Sequence, residues 1–341
     1  MPARMSFIEF RTALESGALS WRRLGHYLEW DPDSAVPRLR VRPKALRDPV
    51  PVDYDVDNAV YRLQQERARV ADKTARRSAA RAQPRIVAEG DSWYMLPTIV
   101  PFPTAIADRI QQNGMFSVRN IARWGDTLDE IVRVKEYLRV LKAERGAAWF
   151  ILSAGGNDIK NALAQDAFLL PYDSTRPLDQ SISPAGHALL KAVTTGYRTI
   201  LSEVRAAHPQ LDILCYSYDY PRPETGDGTY IGKHLKRLGY PKKTWTALMK
   251  VMMEHIATAI MAAASAFPRV AFLDCFNDAQ PYTWYDDMHP GNDGFKALAK
   301  HFEKRMMSPA IVRRVARRRN SIKRLKSARQ RSSRMSRGKA K

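Results

Sequence analysis

The chain has 341 residues, 45% of them hydrophobic, and a net charge of +21, which fits one large folded domain with extensions or two domains. We find no apolar run of the roughly 20 residues that a bilayer crossing needs. Arg11, Glu9 and Glu15 interrupt the stretch where a secretory signal would need apolar residues. Only Cys215 and Cys275 are present, which excludes a disulfide framework. We therefore expect a cytoplasmic protein, or one exported without a cleaved signal.

The positive charge is concentrated near the C-terminal end of the sequence. Residues 311–341 hold 14 Lys and Arg and no acidic residue. Residues 85–310 are nearly neutral, with 26 basic and 24 acidic residues, and residues 1–84 hold 16 and 11. This division predicts an N-terminal helical extension with a linker, a central domain and a basic tail, bounded at residues 84 and 310.

The first 84 residues predict helices joined by irregular chain. Apolar anchors at helical spacing predict two short helices within residues 6–30. Residues 31–53 are rich in proline and charge, and they predict an extended connector. A longer helix is predicted over residues 56–82, with Asp55 or Asp57 as its N-cap.

From residue 85 onward, short apolar runs alternate with longer helical patterns. The predicted strands are 85–89, 115–119, 147–153, 211–217 and 269–273. The predicted helices are 102–113, 126–143, 185–208, 243–266 and 293–306. This alternation predicts an α/β fold with a parallel sheet and helices on both faces. In such sheets the ligand site lies at the carboxyl ends of the strands.

Polar motifs follow four of the five predicted strands. Gly-Asp-Ser-Trp (90–93) comes directly after the first strand, and the loop 122–127 after the second. Ala-Gly-Gly-Asn-Asp (154–158) follows the third strand, and Tyr-Asp-Asp-Met-His-Pro (285–290) lies between the fifth strand and the last helix. We expect these motifs to meet at one edge of the sheet.

The residue types in these motifs suit acyl transfer, which needs a nucleophile, a base, a group that orients the base, and donors for an oxyanion. Ser92 is the candidate nucleophile and His289 the candidate base. Asp286 precedes the histidine by three residues, so that its carboxylate can reach the imidazole. The candidate oxyanion donors are the backbone N–H groups of Ser92 and Gly125 and the side-chain amide of Asn157.

In block order these motifs resemble the SGNH/GDSL hydrolase family, over roughly residues 85–306. Gly-Asp-Ser resembles the first block, Gly125 the second, Gly-x-Asn-Asp (155–158) the third, and Asp-x-x-His-Pro (286–290) the last. Trp93 stands where the family usually has leucine, which indicates a Gly-Asp-Ser-Trp subgroup. The resemblance implies a three-layer, flavodoxin-like fold and the hydrolysis of an ester or thioester without a metal or cofactor.

Other interpretations of the same residues remain open. Trp93, Trp124 and Trp284 lie beside the motifs and are candidates for substrate binding or for core packing. The segments 164–184 and 219–242 are predicted to shape specificity. A divalent metal is a further alternative, less favoured because the triad explains the single histidine better; its ligands would come from Asp91, Asp158, Asp286, Asp287 and His289.

The basic tail at residues 311–341 indicates a binding partner, but it does not indicate which reaction the protein catalyses. Its apolar residues hint at an amphipathic helix on an anionic membrane, and its charge suits nucleic acid equally well. A tail that only increases solubility is the plain alternative. The favoured function is a metal-independent carboxylic ester hydrolase acting on a small-molecule or lipid ester. The alternatives are a lipid hydrolase or effector tethered to a membrane, and a non-enzymatic, nucleic-acid-associated protein that retains the fold.

Overall fold

The N-terminal region forms three helices and a two-stranded hairpin. The structure, a computed structural model, describes residues 4–31, 34, 38–77, 83–99, 101–226, 228 and 230–307. In chain order the N-terminal elements are α1 (Phe7–Glu15), α2 (Trp21–Leu24), β1 (Leu28–Trp30), β2 (Leu39–Val41) and α3 (Val56–Arg77).

The hairpin corrects the expectation of an extended connector over residues 31–53. β2 pairs antiparallel with β1, and the side chains of Glu29 and Arg40 lie opposite each other with N and O atoms 3.0 Å apart. Strands of three residues are too short for an alternating pattern to show in the sequence. Asp55 caps α3 by accepting a hydrogen bond at 2.9 Å from the backbone N–H three residues on. The predicted end of this helix, at 78–82, lies outside the described residues.

A five-stranded parallel sheet forms the centre of the protein, in the order β4-β3-β5-β6-β7. Its strands are β3 (Arg85–Glu89), β4 (Ser117–Asn120), β5 (Ala147–Leu152), β6 (Asp212–Tyr216) and β7 (Val270–Leu273). All five predicted strands are confirmed within two residues at each end. β3 and β6 are buried along most of their length and β5 along its second half, as expected for strands covered on both faces.

Helices cover both faces of this sheet, which confirms the predicted three-layer architecture. The helices are α4 (Ile106–Asn113), α5 (Leu128–Val134), α6 (Glu136–Ala143), α7 (Gly156–Ala164), α8 (Pro184–Ala207), α9 (Gly232–Arg237), α10 (Lys242–Ala264) and α11 (Asn292–Met306). α4 packs against α11, whereas α8 packs against α5, α6, α7 and α10. The start of α8 is set locally, because Ser183 caps it and Pro184 occupies its first position.

Four helical regions differ from the sequence prediction. The helix predicted at 102–113 begins later, because α4 starts at Ile106. The helix expected at 126–143 is broken in two, because Lys135 adopts the left-handed conformation with φ 54°. No glycine or proline marks that position, so the pattern could not show the break. α7 begins inside the Gly-Gly-Asn-Asp motif, and α9 lies within the segment 219–242; both are too short to give a clear period.

α10 corrects the expectation that no segment is long enough to cross a bilayer. By length and composition alone, its 23 residues would suffice. In the structure, however, 56% of its most apolar window is buried inside the protein, where the helix packs on α8, β6 and β7.

The N-terminal region is attached to the central domain through α3. Gln64 donates to the backbone carbonyl of Leu96 at 3.0 Å, and Gln65 donates to that of Asn120 at 3.1 Å. These bonds hold α3 against the loop that follows β3 and against the end of β4. The boundary at residue 84 stays a prediction, and the basic tail at 311–341 lies outside the described residues.

Candidate active site

Ser92 lies in a tight turn at the carboxyl end of β3. The N–H groups of Tyr94 and Met95 both donate to the carbonyl of Asp91 at 3.1 Å, which closes the turn around the serine. Gly90 is needed before it, since a Cβ there would lie 2.3 Å from the carbonyl oxygen of Ser153. The turn thus presents Ser92 at the strand end, although only 1% of the residue is exposed.

His289 connects the serine to Asp286. Its Nε2 lies 2.8 Å from Oγ of Ser92, and its Nδ1 lies 2.9 and 2.8 Å from the two carboxylate oxygens of Asp286. The carboxylate also accepts the backbone N–H of His289 at 2.7 Å, so the loop itself fixes their separation. With a proton on Nδ1 donated to the carboxylate, Nε2 is free to accept the Ser92 proton. The structure therefore brings together the three residues predicted as a triad.

The electrostatic environment of His289 raises the pKa of its imidazole. Its complete burial by itself would lower the pKa of the imidazole. The charge and hydrogen bond of Asp286 outweigh that effect, with smaller support from Asp91 and Asp287, and the pKa of His289 is raised above 6.5. The buried imidazole is thus stabilised in its charged form by the carboxylate that orients it.

Asp287, the neighbour of Asp286, is directed elsewhere. Its fully buried carboxylate accepts hydrogen bonds from the backbone N–H groups of Tyr230, Ile231 and Gly232, at 2.6 to 3.2 Å. Burial raises its pKa to about 6. Asp287 anchors the 230–232 segment, whereas Asp286 faces the histidine.

The predicted oxyanion donors lie at the ends of the neighbouring strands. Gly125 follows β4 with φ 84°, a conformation that favours glycine. Among the described residues, no protein acceptor takes the backbone N–H of Ser92 or of Gly125. Asn157 is 1% exposed and donates one amide hydrogen to the carbonyl of Asp126 at 2.9 Å. A carbonyl can only accept hydrogen bonds, so the amide nitrogen of Asn157, and not its amide oxygen, must face Asp126. This bond also fixes the direction of the second amide hydrogen. That Ser92, Gly125 and Asn157 stabilise an oxyanion stays a prediction.

A buried polar network under the nucleophile turn was missed from the sequence. The carboxylate of Asp91 accepts from the backbone N–H of Trp93 at 3.1 Å, from Oγ of Ser153 at 2.9 Å and from the Tyr218 hydroxyl at 2.5 Å. Burial raises the pKa of Asp91, and these hydrogen bonds oppose the rise. The network ties the turn to the ends of β5 and β6. Tyr218 lies two residues after the end of β6, at the sheet edge where the other motifs lie, but no motif in the sequence marks it.

The three tryptophans proposed to bind substrate are all buried. Trp93 lines a cavity beside Ser92 and makes an edge contact with Trp284, their ring centres 6.4 Å apart. Trp124 does not line this cavity; its indole N–H donates to Asp57 at 2.6 Å, in the contact between α3 and the sheet. Among the three, only Trp93 is placed to meet an acyl group at the serine.

The cavity beside Ser92 has a volume of about 40 Å³. Asn157 and Ser92 lie at one side, and Lys160 also lines it. Its apolar walls come mainly from α7 and α10, and include Ile159, Leu163, Ile231, Met252, Met253 and Ile256. Part of the wall comes from 219–242, one of the two segments predicted to shape specificity.

The carboxylates considered as metal ligands have separate protein partners. Asp158, for example, accepts the backbone N–H of Leu128 at 2.8 Å. A different group offers three ligand atoms within 4.8 Å of one another, namely Cys275, Asp278 and His301. There the imidazole and carboxylate are already paired at 2.6 Å, in a place the sequence did not single out.

Comparisons with known proteins identify a family for the central domain. A model of the GDSL-like Lipase/Acylhydrolase family matches residues 90–297, a segment that contains every residue of the site. No curated protein matches the chain. Among solved structures, the lipase Lip_vut3 from a goat rumen metagenome is 13% identical with a TM-score of 0.45, covering 65% of this chain and 97% of that one.

Two further structures show the same range of similarity. An extracellular lipase from Streptomyces rimosus is 12% identical with a TM-score of 0.42, covering 65% of this chain and 99% of the lipase. The family 3 carbohydrate esterase from Clostridium thermocellum is 14% identical with a TM-score of 0.38, covering 65% and 94%. At these identities and TM-scores, the likenesses assign neither a substrate nor a mechanism.

Proposed function

Because this chain belongs to the GDSL-like lipase/acylhydrolase family, whose members hydrolyse esters, we propose that it cleaves a carboxylic ester or thioester through an acyl-enzyme on Ser92. The observation that carries the proposal is the continuous series of contacts from Ser92 through His289 to Asp286, each 2.8 to 2.9 Å long. Such a series is the arrangement that activates a serine hydroxyl, whatever the surrounding fold.

The first half of the proposed reaction acylates the serine. Nε2 of His289 takes the proton from Oγ of Ser92 as that oxygen attacks the carbonyl carbon of the substrate. The negative charge then develops on the former carbonyl oxygen, where the N–H groups of Ser92, Gly125 and Asn157 are the available donors. When the intermediate collapses, the carbon–oxygen or carbon–sulfur bond breaks, and the leaving group takes the proton from His289.

The second half repeats these steps with water as the nucleophile. His289 removes a proton from water, the hydroxide attacks the acyl carbon, and the proton returns to Oγ of Ser92 as the acid is released. Throughout, the carboxylate of Asp286 stabilises the imidazolium and holds its orientation. The proposed cycle needs no metal and no organic cofactor.

The proposal can be tested with an activity probe and an ester panel. A fluorophosphonate should label the protein at Ser92, and the protein should hydrolyse at least one member of a panel of esters graded by acyl length. Ser92→Ala should lose both properties. Ser265→Ala, at an exposed serine beyond the end of α10, is the matched control and should retain both. Labelling of Ser92→Ala at the level of the unmodified protein would rule out the proposed nucleophile.

A further inference from the structure

Lys160 is a buried lysine in the wall of the cavity beside Ser92. It lies on α7, three residues after Asn157, and only 3% of the residue is exposed. Its Nζ has no hydrogen-bond partner among the residues that the structure describes. An ammonium group without a partner is costly to bury, so its retention in the wall of a substrate-sized site calls for a ligand.

The described residues around Lys160 do not supply the missing hydrogen-bond partner. Nζ lies over the ring of Tyr230, 5.8 Å from its centre, in a cation–π contact that provides no acceptor oxygen. Asp287, the carboxylate that interacts with it, is already bound by three backbone N–H groups. Burial lowers the pKa of Lys160 to about 7, and the positive charge of Lys233 adds to this effect. An anion entering the cavity would favour the charged form.

The cavity limits how large such a ligand can be. A cavity needs a volume of about 10–15 Å³ to hold one water molecule, so the cavity of about 40 Å³ accommodates roughly three water-sized groups. Among the lining residues Lys160 is the one cation, and most of the others are apolar. A long fatty acyl chain would exceed this space and would leave the ammonium unpaired.

The helix also sets the spacing between the two ends of the ligand. Residues three apart on a helix lie on the same face, separated by a rise of about 4.5 Å. Asn157 is the proposed donor for the ester carbonyl, and Lys160 is three residues further on. Because both side chains line the same cavity of about 40 Å³, an ester carbonyl at Asn157 and a carboxylate at Nζ must lie only a few bonds apart, as they do in a four-carbon diacid.

We propose that Lys160 determines specificity by binding the free carboxylate of a short dicarboxylic acyl group, of about succinyl length, whose ester carbonyl lies at Ser92. This inference rests on the proposed esterase function and narrows its substrate class. The diacid half-ester would place its methylenes against Met252 and Ile256, and its carboxylate against Nζ.

A matched pair of substrates tests the inference. Monomethyl succinate and methyl butyrate have the same leaving group and the same number of acyl carbons, and methanol release measures both. The unmodified protein should prefer the succinate. Lys160→Met, which keeps the length and removes the charge, should lower kcat/KM for monomethyl succinate by about 10- to 100-fold, the usual worth of a hydrogen bond to a charged group. It should leave methyl butyrate unchanged or improved.

Controls separate the possible outcomes. Lys233→Met removes an exposed neighbouring charge and should change the ratio of the two kcat/KM values less than about twofold. Failure of the unmodified protein on both esters would overturn the inference, and the proposed function would fall as well only if the fluorophosphonate also left Ser92 unlabelled. Hydrolysis of both with the same ratio in Lys160→Met would overturn only the role of Lys160. Should that variant not fold, inhibition of the unmodified protein decides: succinate should inhibit more strongly than butyrate, and equal inhibition constants would contradict the inference.

Discussion

Nε2 of His289 lies 2.8 Å from Oγ of Ser92, although 197 residues separate them in the chain. Ser92 follows β3 and His289 follows β7, and β5 and β6 lie between these strands in the sheet. The loop after β7 must therefore reach back along the sheet edge to complete the site. The antiparallel bridge between Trp284 and Pro290 and the bond from the N–H of Tyr285 to the carbonyl of His289 give that loop its shape.

Adjacent aspartates should respond differently to the same substitution. Asp286→Asn should lower kcat on a small ester by about 10⁴-fold, since the orientation and charge support of His289 are lost. Asp287→Asn should keep kcat within about tenfold, because that carboxylate binds backbone N–H groups and an amide oxygen can still accept from them. Steady-state kinetics with circular dichroism as a folding control measure both. Equal losses would leave the assignment to Asp286 unsupported.

Asn157 should act on the transition state more than on substrate binding. Asn157→Ala should lower kcat by about 10²- to 10³-fold with little change in KM, because the bond forms mainly to the developing oxyanion. Asn161→Ala, one turn further along α7, is the matched control and should have a small effect. A rise in KM at constant kcat would instead indicate a role in binding the ground state.

The pH profile should report the imidazole. Only neutral His289 can accept the proton of Ser92, so kcat/KM should fall as pH falls through its pKa, with a midpoint above 6.5. Asp286→Asn removes the carboxylate charge that raises the pKa of His289, and burial then lowers that pKa. The pH profile of the residual activity should therefore have its midpoint at lower pH. A second group could titrate in the same range, because burial raises the pKa of Asp126 to about 7. If the midpoint of the fall in kcat/KM does not move in Asp286→Asn, that fall reports a group other than His289.

The network under the nucleophile turn should contribute to stability. Tyr218→Phe removes the hydroxyl that donates to Asp91 at 2.5 Å, and it leaves part of a buried carboxylate unsatisfied. We expect the free energy of unfolding to fall by about 1–3 kcal/mol, measured by denaturant titration. Tyr220→Phe removes an exposed hydroxyl bonded to Glu254 and should be nearly neutral. Equal changes in the free energy of unfolding for the two substitutions would show that the network does not contribute to stability more than a surface hydrogen bond does.

The basic tail should bind a polyanion without taking part in catalysis. Residues 311–341 hold 14 basic and no acidic residues, and no triad residue lies among them. A chain ending at residue 310 should keep kcat on a small ester but lose binding to anionic vesicles or to DNA and RNA. That binding should weaken steeply with added salt. Comparing vesicles with nucleic acid separates the two partners. Unchanged binding by the shortened chain at matched salt would refute the tether, and loss of activity would make the tail part of the enzyme.

Local patterns in the sequence predicted the sheet, the order of the motifs and the candidate triad. The strands of the sheet are short apolar runs, and the motifs that contain Ser92, Gly125 and Asn157 follow three of them within a few residues. The motif that contains His289 lies further along, between β7 and α11. The shared edge of a parallel sheet then brought Ser92, Gly125, Asn157 and His289 into one region. The resemblance to the family's last block, with its three-residue spacing, favoured Asp286 over Asp287.

Only the tertiary structure decided what lies around and beneath those residues. Asp91 and Tyr218 are 127 residues apart, and no period or spacing connects them. The break at Lys135 carries no residue that marks it, and Trp124 turned out to bond with Asp57 from the N-terminal region. Lys160 appears in the sequence as one charge within a short helical segment. Its place in the wall of a buried cavity depends on residues from elsewhere in the chain, among them Ile231 and Met252, which line the same cavity. The burial of a residue depends on the segments that pack against it from elsewhere in the chain, so the neighbouring residues in the sequence could not show it.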